Sequence, residues 1–280
     1  MVLIDLNQVL LAGLMAQIAN HKGALDEDLV RHMILNIIRN HVKNFKNEYG
    51  EIVLCCDNRK YWRKEYFPFY KANRKKTREK SSLDWHLIFD MLSKFKVELK
   101  ENFPYKVIDV EGAEADDIIG TLVPRFSPTQ KILILSSDGD FLQLQNYQNV
   151  KQYNPSLKKY IVSENPIMDL KEKIIRGDKG DGIPNVYSPA DCFVRDLRQK
   201  PITQGILDKL MRESYTDQDE TIQANWMRNS TLIDLSFIPV EIKEKIINTY
   251  EETVPAKRNK LLNYFIENKL KNLMDVIEEF

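Results

Sequence analysis

The chain has 280 residues, 43% of them apolar, enough to bury a sizeable core in one large domain or two. Lys+Arg and Asp+Glu both number 41, so the formal net charge is zero; this argues only weakly against a nucleic-acid partner, because the signs are segregated along the chain. Three cysteines without a CxxC pair point to neither a zinc site nor a disulfide framework and fit a reduced cytoplasmic setting, and no apolar stretch is long enough to span a membrane.

In chain order, Val2–Leu6 reads as a short buried strand and Gln8–Asn20 as a helix. Asp5 interrupts this apolar start and no basic region precedes it, so it is not read as a signal peptide. Asp26–Lys46 has the spacing of a long amphipathic helix, with Leu29, Met33, Ile37 and Val42 on one stripe. Glu51–Cys56 is a buried-type strand ending at Asp57, and a helix is expected near Leu83–Phe95. Tyr105–Asp109 is a third strand, Glu114–Arg125 a helix, Lys131–Ser136 a fourth strand, and about 138–144 a further helix. Val150–Val162 carries Asn154-Pro155-Ser156-Leu157 between two strand-like runs, a hairpin for the sheet edge. From Glu164 the pattern is almost entirely helical, with breaks at Gly177–Pro184, Ser188-Pro189, Pro201 and Pro239. Apolar strands alternating with helices predict an α/β fold: a mostly parallel central sheet flanked by helices. The expected division is an α/β core over 1–162, with a basic arch at 59–80, and a smaller helical domain over 163–280.

In such a sheet the working edge lies outside the carboxyl ends of the strands. Asp5 closes the first strand and Asp57 the second; Glu114, Asp116 and Asp117 follow the third, and Asp138 and Asp140 the fourth. Any one of them could be a helix cap or turn residue. Together they would repel one another, and some would stay protonated, unless cations were present. Hard oxygen donors without His or Cys select Mg²⁺ or Mn²⁺ over zinc, and such a site suits phosphoryl transfer. No Ser-His-Asp or Cys-His set competes: His21, His32, His41 and His86 are remote from these motifs. A second acidic motif, Asp178 and Asp181 within RGDKGDGIP, has i, i+3 spacing; taken alone it is equally a glycine-rich turn between helices.

The segment Arg59–Lys80 holds ten Lys or Arg against two Glu, a net +8, interleaved with Tyr61, Trp62, Tyr66, Phe67, Phe69 and Tyr70. A solvated charged face is one reading. The other is a single-stranded nucleic-acid contact, in which cations track the backbone and aromatic faces stack bases. Trp62 and Phe67 are the aromatics expected to pack at its base.

With LIDLNQ, VLCCDN, YWRKEYFPFYKANR, GAEADDIIG, ILSSDGDFLQL and IIRGDKGDGIP in this order, the chain resembles the flap endonuclease/5′-3′ exonuclease superfamily, and within it a bacteriophage ribonuclease H branch that removes RNA primers and flaps. The likeness covers at least residues 2–185. It implies a structure-specific 5′ nuclease using two Mg²⁺ ions, with Mn²⁺ able to substitute. Asp57, Glu114, Asp116, Asp138 and Asp140 would surround the first ion, with Asp117 nearby, and Asp5, Asp178 and Asp181 would serve the second. Asp116 and Asp138 would be essential to turnover. Tyr70, Lys71 and Arg74 match the family's Tyr-Lys-x-x-Arg, with Lys71 and Arg74 at the scissile phosphate; Arg63, Lys75 and Lys76 are further nucleic-acid ligands. The implied substrates are branched, flap or nicked DNA and RNA–DNA duplex, cut by a monomer in the cytoplasm (the host's, for a viral protein).

Two departures matter. Where the family has GDxxDNIPGVxGIG, whose carbonyls can hold K⁺ near a duplex, this chain has GDKGDGIPNVYSPAD. Gly182 stands for Asn and the later glycines are absent; the resemblance still implies a helix-turn-helix-like duplex-binding turn at 177–184, but the departures argue against a K⁺ site there. The last helices, about 256–280, carry an apolar stripe of Leu261, Leu262, Phe265 and Ile266 that fits either ordinary packing or docking of a single-strand-binding protein or sliding clamp. Two rival functions stay open: a PIN-like single-strand ribonuclease, which predicts no preference for a 5′ end, and a non-catalytic junction-binding protein, which predicts binding without metal-dependent turnover. A DxDx phosphatase does not fit, since the first strand offers Asp5-Leu-Asn7.

Overall fold

A computed structural model describes residues 1–18, 26–79 and 83–280, leaving aside the side chains of residues 76 and 77. The expected end of the first helix at Asn20, His21, the last arch residue Lys80 and the Lys76 side chain lie outside the described residues. The chain begins with β1 (Val2–Asp5), α1 (Leu6–Ile18), α2 (Glu27–Tyr49) and β2 (Ile52–Cys56). The basic segment follows as α3 (Trp62–Tyr66) and α4 (Asn73–Glu79). Then come α5 (Trp85–Asn102), β3 (Lys106–Asp109), α6 (Ala115–Phe126), β4 (Ile132–Leu135) and the pair β5 (Val150–Asn154) and β6 (Lys159–Ile161). The remainder is helical: α7 (Pro166–Arg176), α8 (Gln204–Arg212), α9 (Glu220–Ile233), α10 (Val240–Glu252), α11 (Asn259–Glu267) and α12 (Lys271–Met274).

The strands form one six-stranded sheet in the order β3-β2-β1-β4-β5-β6. All neighbours are parallel except β5 and β6, the edge hairpin, where Tyr153 faces Tyr160. Alternate side chains of each strand enter different cores, which is why the strands read as continuous apolar runs. On one face Val2, Ile4, Leu54, Val107 and Leu133 pack under α1, α2, α5 and α11. On the other, Leu3, Val53, Ile108, Ile132 and Ile134 pack under α6 and α10. A third cluster joins Phe67 and Tyr70 of the basic segment to Ile174 and Ile175 of α7, Ile183 and Val186 of the following turn, and residues of α8 and α9. Helices from the C-terminal part thus close both faces of the N-terminal sheet. Within α11, Leu261 and Phe265 are buried beside Phe103 and Phe280, while Leu262 and Ile266 face outward.

Local signals account for the ends of the main helices. Asp26, Asp84 and Asn165 each accept a backbone N–H at the start of α2, α5 and α7, and Pro166 opens α7. Two stretches differ from expectation. The helix expected at 138–144 is a 3-10 helix, Gly139–Asn146, because the Gln152 side chain donates to the carbonyls of Ser136 (3.1 Å) and Asp138 (2.6 Å) and tightens the chain before it. Residues 177–203 are turns rather than helix: Gly177, Pro184, Pro189 and Pro201 interrupt the ladder. Asn185 holds the stretch together by donating to Lys200 O (2.8 Å) and accepting from Ser188 Oγ (2.9 Å).

Candidate active site

The topology brings the ends of four adjacent parallel strands, β3-β2-β1-β4, to one edge, and the acids collect there. Asp5 ends β1 and is buried; its carboxylate accepts from Ser136 Oγ (3.0 Å) and Gln8 N (3.3 Å). Asp57, just past β2, accepts from Ala115 N (2.8 Å) and Asn7 Nδ2 (3.0 Å). It therefore ties the strand end to the first turn of α6. Glu114 and Asp117 make a reciprocal capping box at that same turn. Asp138 caps the 3-10 helix by accepting from Asp140 N (2.9 Å).

Consecutive acids on α6 meet opposite surroundings. Asp117 is fully buried and well supplied with donors: Oδ1 accepts from Arg63 (2.7 Å) and Trp62 Nε1 (3.1 Å), and Oδ2 from Glu114 N (2.8 Å). Asp116 receives no hydrogen bond among the described residues. Burial, then the charge of Asp138, pushes its carboxyl well above the usual range, with Asp5 and Glu114 adding to the effect against Lys71. Asp5 is raised to about 8 by burial, Asp57 and Asp138. Asp140 is raised to about 7, where burial and Asp138 prevail over Lys173. The cluster carries more negative charge than its own donors satisfy.

Cations enter it from two sides. Lys71, at a left-handed backbone position (φ 57°), pairs with Glu114 (2.5 Å) and approaches Asp181 (3.7 Å). Arg74 pairs with Asp181 (2.5 Å). Burial would raise Asp181, but Lys71 and Arg74 outweigh it and hold the carboxyl below its ordinary value. From α7, Lys173 pairs with Asp140 and with Asp178 (3.1 Å), and stands 4.0 Å from Asp138. The acidic turn motif is therefore part of the strand-end cluster. Among the described residues no three His, Cys, Asp or Glu side chains already form a group able to hold a metal ion, and ammonium or guanidinium groups pair with Glu114, Asp140 and Asp181.

Two expectations for the basic segment are corrected. Arg63 is not placed to meet a phosphate: it is 2% exposed, and its guanidinium is committed to Asp117, Glu114 (3.2 Å) and Leu232 O (2.9 Å). A lone basic residue in a charged run gives no sign of such burial. Tyr70 is not free to stack a base: its ring is buried and its hydroxyl lies between Glu114 (3.1 Å) and Asp181 (2.9 Å). Trp62 and Phe67 do pack at the base of the segment. Lys75 is solvent-exposed near Glu79.

One participant in the site was not legible in the sequence. Lys173 had no signal beyond its place on α7, one turn before the Gly177 break. Gly182, noted as a departure, has a local reason: at φ +73° a Cβ would come 3.0 Å from Phe69 O. Its absence lets the basic segment lie on the turn, where Lys71 N donates to Asp181 O (2.7 Å) and Asn73 Nδ2 to Lys179 O (2.6 Å). Behind the turn, Arg228 and Asn229 of α9 both donate to Pro184 O (3.0 and 2.9 Å) and fix its position.

Comparison with known proteins agrees with this architecture. Residues 1–174 match the family described as 5′-3′ exonuclease, N-terminal resolvase-like domain, and residues 164–280 match T4 RNase H, C terminal. The ribonuclease H of Enterobacteria phage T4 is 38% identical over 290 aligned positions, covering 99% of this chain and 95% of that protein. A 5′-3′ exonuclease of Buchnera aphidicola is 33% identical over 162 positions, covering 55% of this chain and 54% of its own. Among solved structures, the 5′-exonuclease of T5 with bound zinc aligns with a TM-score of 0.61 at 16% identity, covering 90% of this chain and 98% of the other. The T5 D15 flap endonuclease in complex with DNA and metal ions gives 0.59 at 15%, covering 90% and 99%.

Proposed function

The chain belongs to the 5′-3′ exonuclease family, a family of nuclease hydrolases, and from that premise we propose that it is a Mg²⁺-dependent, structure-specific 5′ nuclease that trims RNA primers and flaps during DNA replication. The observation that carries the reading is the surplus of buried carboxylate at the strand ends, above all Asp116 without a donor and Asp5 and Asp140 with raised affinity for protons. An all-oxygen donor set of this kind fits Mg²⁺, with Mn²⁺ as substitute.

Asp57, Glu114, Asp116, Asp138 and Asp140 would hold one ion, and Asp5, Asp178 and Asp181 would serve a second. Once bound, these ions lower the pKa of water and neutralise charge on the phosphate. The chain's own residues do the rest. Asn7 and Ala115 N orient Asp57, and Ser136 orients Asp5. Lys71 and Arg74, paired here with Glu114 and Asp181, are the cations a scissile phosphate would draw from those acids. Lys75 and Lys76 would track the single strand with little regard to sequence. The outward face of α11, with Leu262 and Ile266, is the one available to a single-strand-binding protein or sliding clamp.

The test is a Mg²⁺ titration on end-labelled 5′-flap, nicked and RNA–DNA substrates, with a 3′ flap alongside. Cutting that needs Mg²⁺ and a free 5′ end is expected. Equal cutting of the 3′ flap would remove the polarity. Cutting of plain single-stranded RNA without regard to ends would favour a PIN-like ribonuclease.

A further inference from the structure

Lys173 lies on the third turn of α7, and its ammonium meets three carboxylates from two other segments: Asp140, Asp178 at 3.1 Å and Asp138 at 4.0 Å. Its side chain is mostly buried, so little water screens these pairs. The Asp140 oxygen facing it is buried, and among the described residues Lys173 is the group paired with it. No backbone carbonyl accepts from Lys173 among the described hydrogen bonds, in contrast to Lys171 on the same helix, which donates to Met211 O and Glu213 O. The ammonium is a compact point charge on a flexible four-carbon stem.

We propose that Lys173 is a tethered counter-ion: it holds the Asp138, Asp140 and Asp178 carboxylates together in the metal-free protein and competes with a divalent cation for them. The inference rests on the metal reading above and adds a competitor inside the site. Without a cation of either kind, three buried or half-buried carboxylates face one another and the junction of α7 with the 3-10 helix is destabilised. With Lys173 in place the empty protein stays folded, and each binding event requires the ammonium to yield oxygens to the incoming ion.

The test compares wild type, Lys173→Met and Lys173→Arg by calorimetric titration with Mg²⁺ and Mn²⁺ and by thermal unfolding in EDTA and in excess Mg²⁺. Lys173→Met is expected to bind the divalent ion on the order of tenfold more tightly. Its Tm should be lower in EDTA and rise more on adding Mg²⁺ than that of the wild type. Lys173→Arg, which keeps the charge, should stay near wild type in affinity. A Lys173→Met protein folded only with Mg²⁺ supports the proposal. Unchanged or weaker metal affinity overturns it, as does failure to fold with and without Mg²⁺, which would make Lys173 a purely structural residue. If the wild type binds neither ion, the metal reading itself falls and the competitor with it; if it binds and Lys173→Met binds equally, only the competitor falls.

Discussion

Asp116 and Asp117 are neighbours in sequence, and the two sides of α6 they face are built on opposite principles. On the Asp117 side the buried acid has its donors: Arg63 binds Asp117 and Glu114 and reaches Leu232 O, and Trp62 also donates to Asp117. On the Asp116 side the acids outnumber their donors, and protons or borrowed cations make up the difference. The first arrangement makes structure, because breaking a matched buried pair strands the remaining charge. The second leaves ligand capacity at some cost to the empty protein, a pattern common at functional sites.

Substitutions on the two sides should therefore divide stability from turnover. The largest effect is expected at Arg63. Arg63→Ala leaves Asp117 buried without its cation and Glu114 with Lys71 alone, and should cost about 3–5 kcal/mol of folding stability, read by urea denaturation. A loss below about 1 kcal/mol would show that the Asp117 side is not the structural one. Next is Asp116→Asn, which removes one unmatched carboxylate. Turnover on a 5′ flap should fall by at least about a hundredfold, flap affinity should hold, and the metal-free Tm should stay level or rise. A fall in Tm comparable to that of Arg63→Ala would erase the contrast.

The smallest effect is on pH dependence. Asp5 and Asp140 are raised to about 8 and about 7, well above the unfolded value for Asp, so at these two positions the folded metal-free protein binds more protons than the unfolded chain between about pH 4 and pH 8. These groups favour folding fully at acid pH, and that contribution fades as pH rises through 7 and 8. In EDTA the contribution of this cluster should make stability decline over that range; in excess Mg²⁺ the decline should be smaller. Unfolding curves at stepped pH check both, and stability in EDTA that climbs from pH 6 to pH 8 would contradict the assignment.

The parts of this molecule that were legible in its sequence are those determined by short stretches of chain. Runs such as Ile132–Leu135 announce buried parallel strands, and Asp5, Asp57 and Asp138 show their place by following such runs directly. The edge hairpin was marked by its Asn-Pro-Ser-Leu turn. What could not be read depends on segments far apart in the chain. Arg63 and Leu232 are 169 residues apart, and nothing near Arg63 indicates that α9 will cover it. Lys173 became part of the acidic edge only because α7 packs beside the 3-10 helix. The carbonyls of Ser136 and Asp138, just before the 3-10 helix, are held by Gln152, which lies on β5.

The seam at Gly182 has a dynamic consequence. Backbone of the basic segment and backbone of the 177–183 turn are hydrogen-bonded to each other, through Lys71 N to Asp181 O, and share a hydrophobic cluster. Segments joined in this way open together as one cooperative unit rather than fraying independently. On the proposed function, a strand that drew Lys71 from its place would also loosen the carbonyl and carboxylate of Asp181, so that loading the arch and reshaping the acidic edge would be a single event.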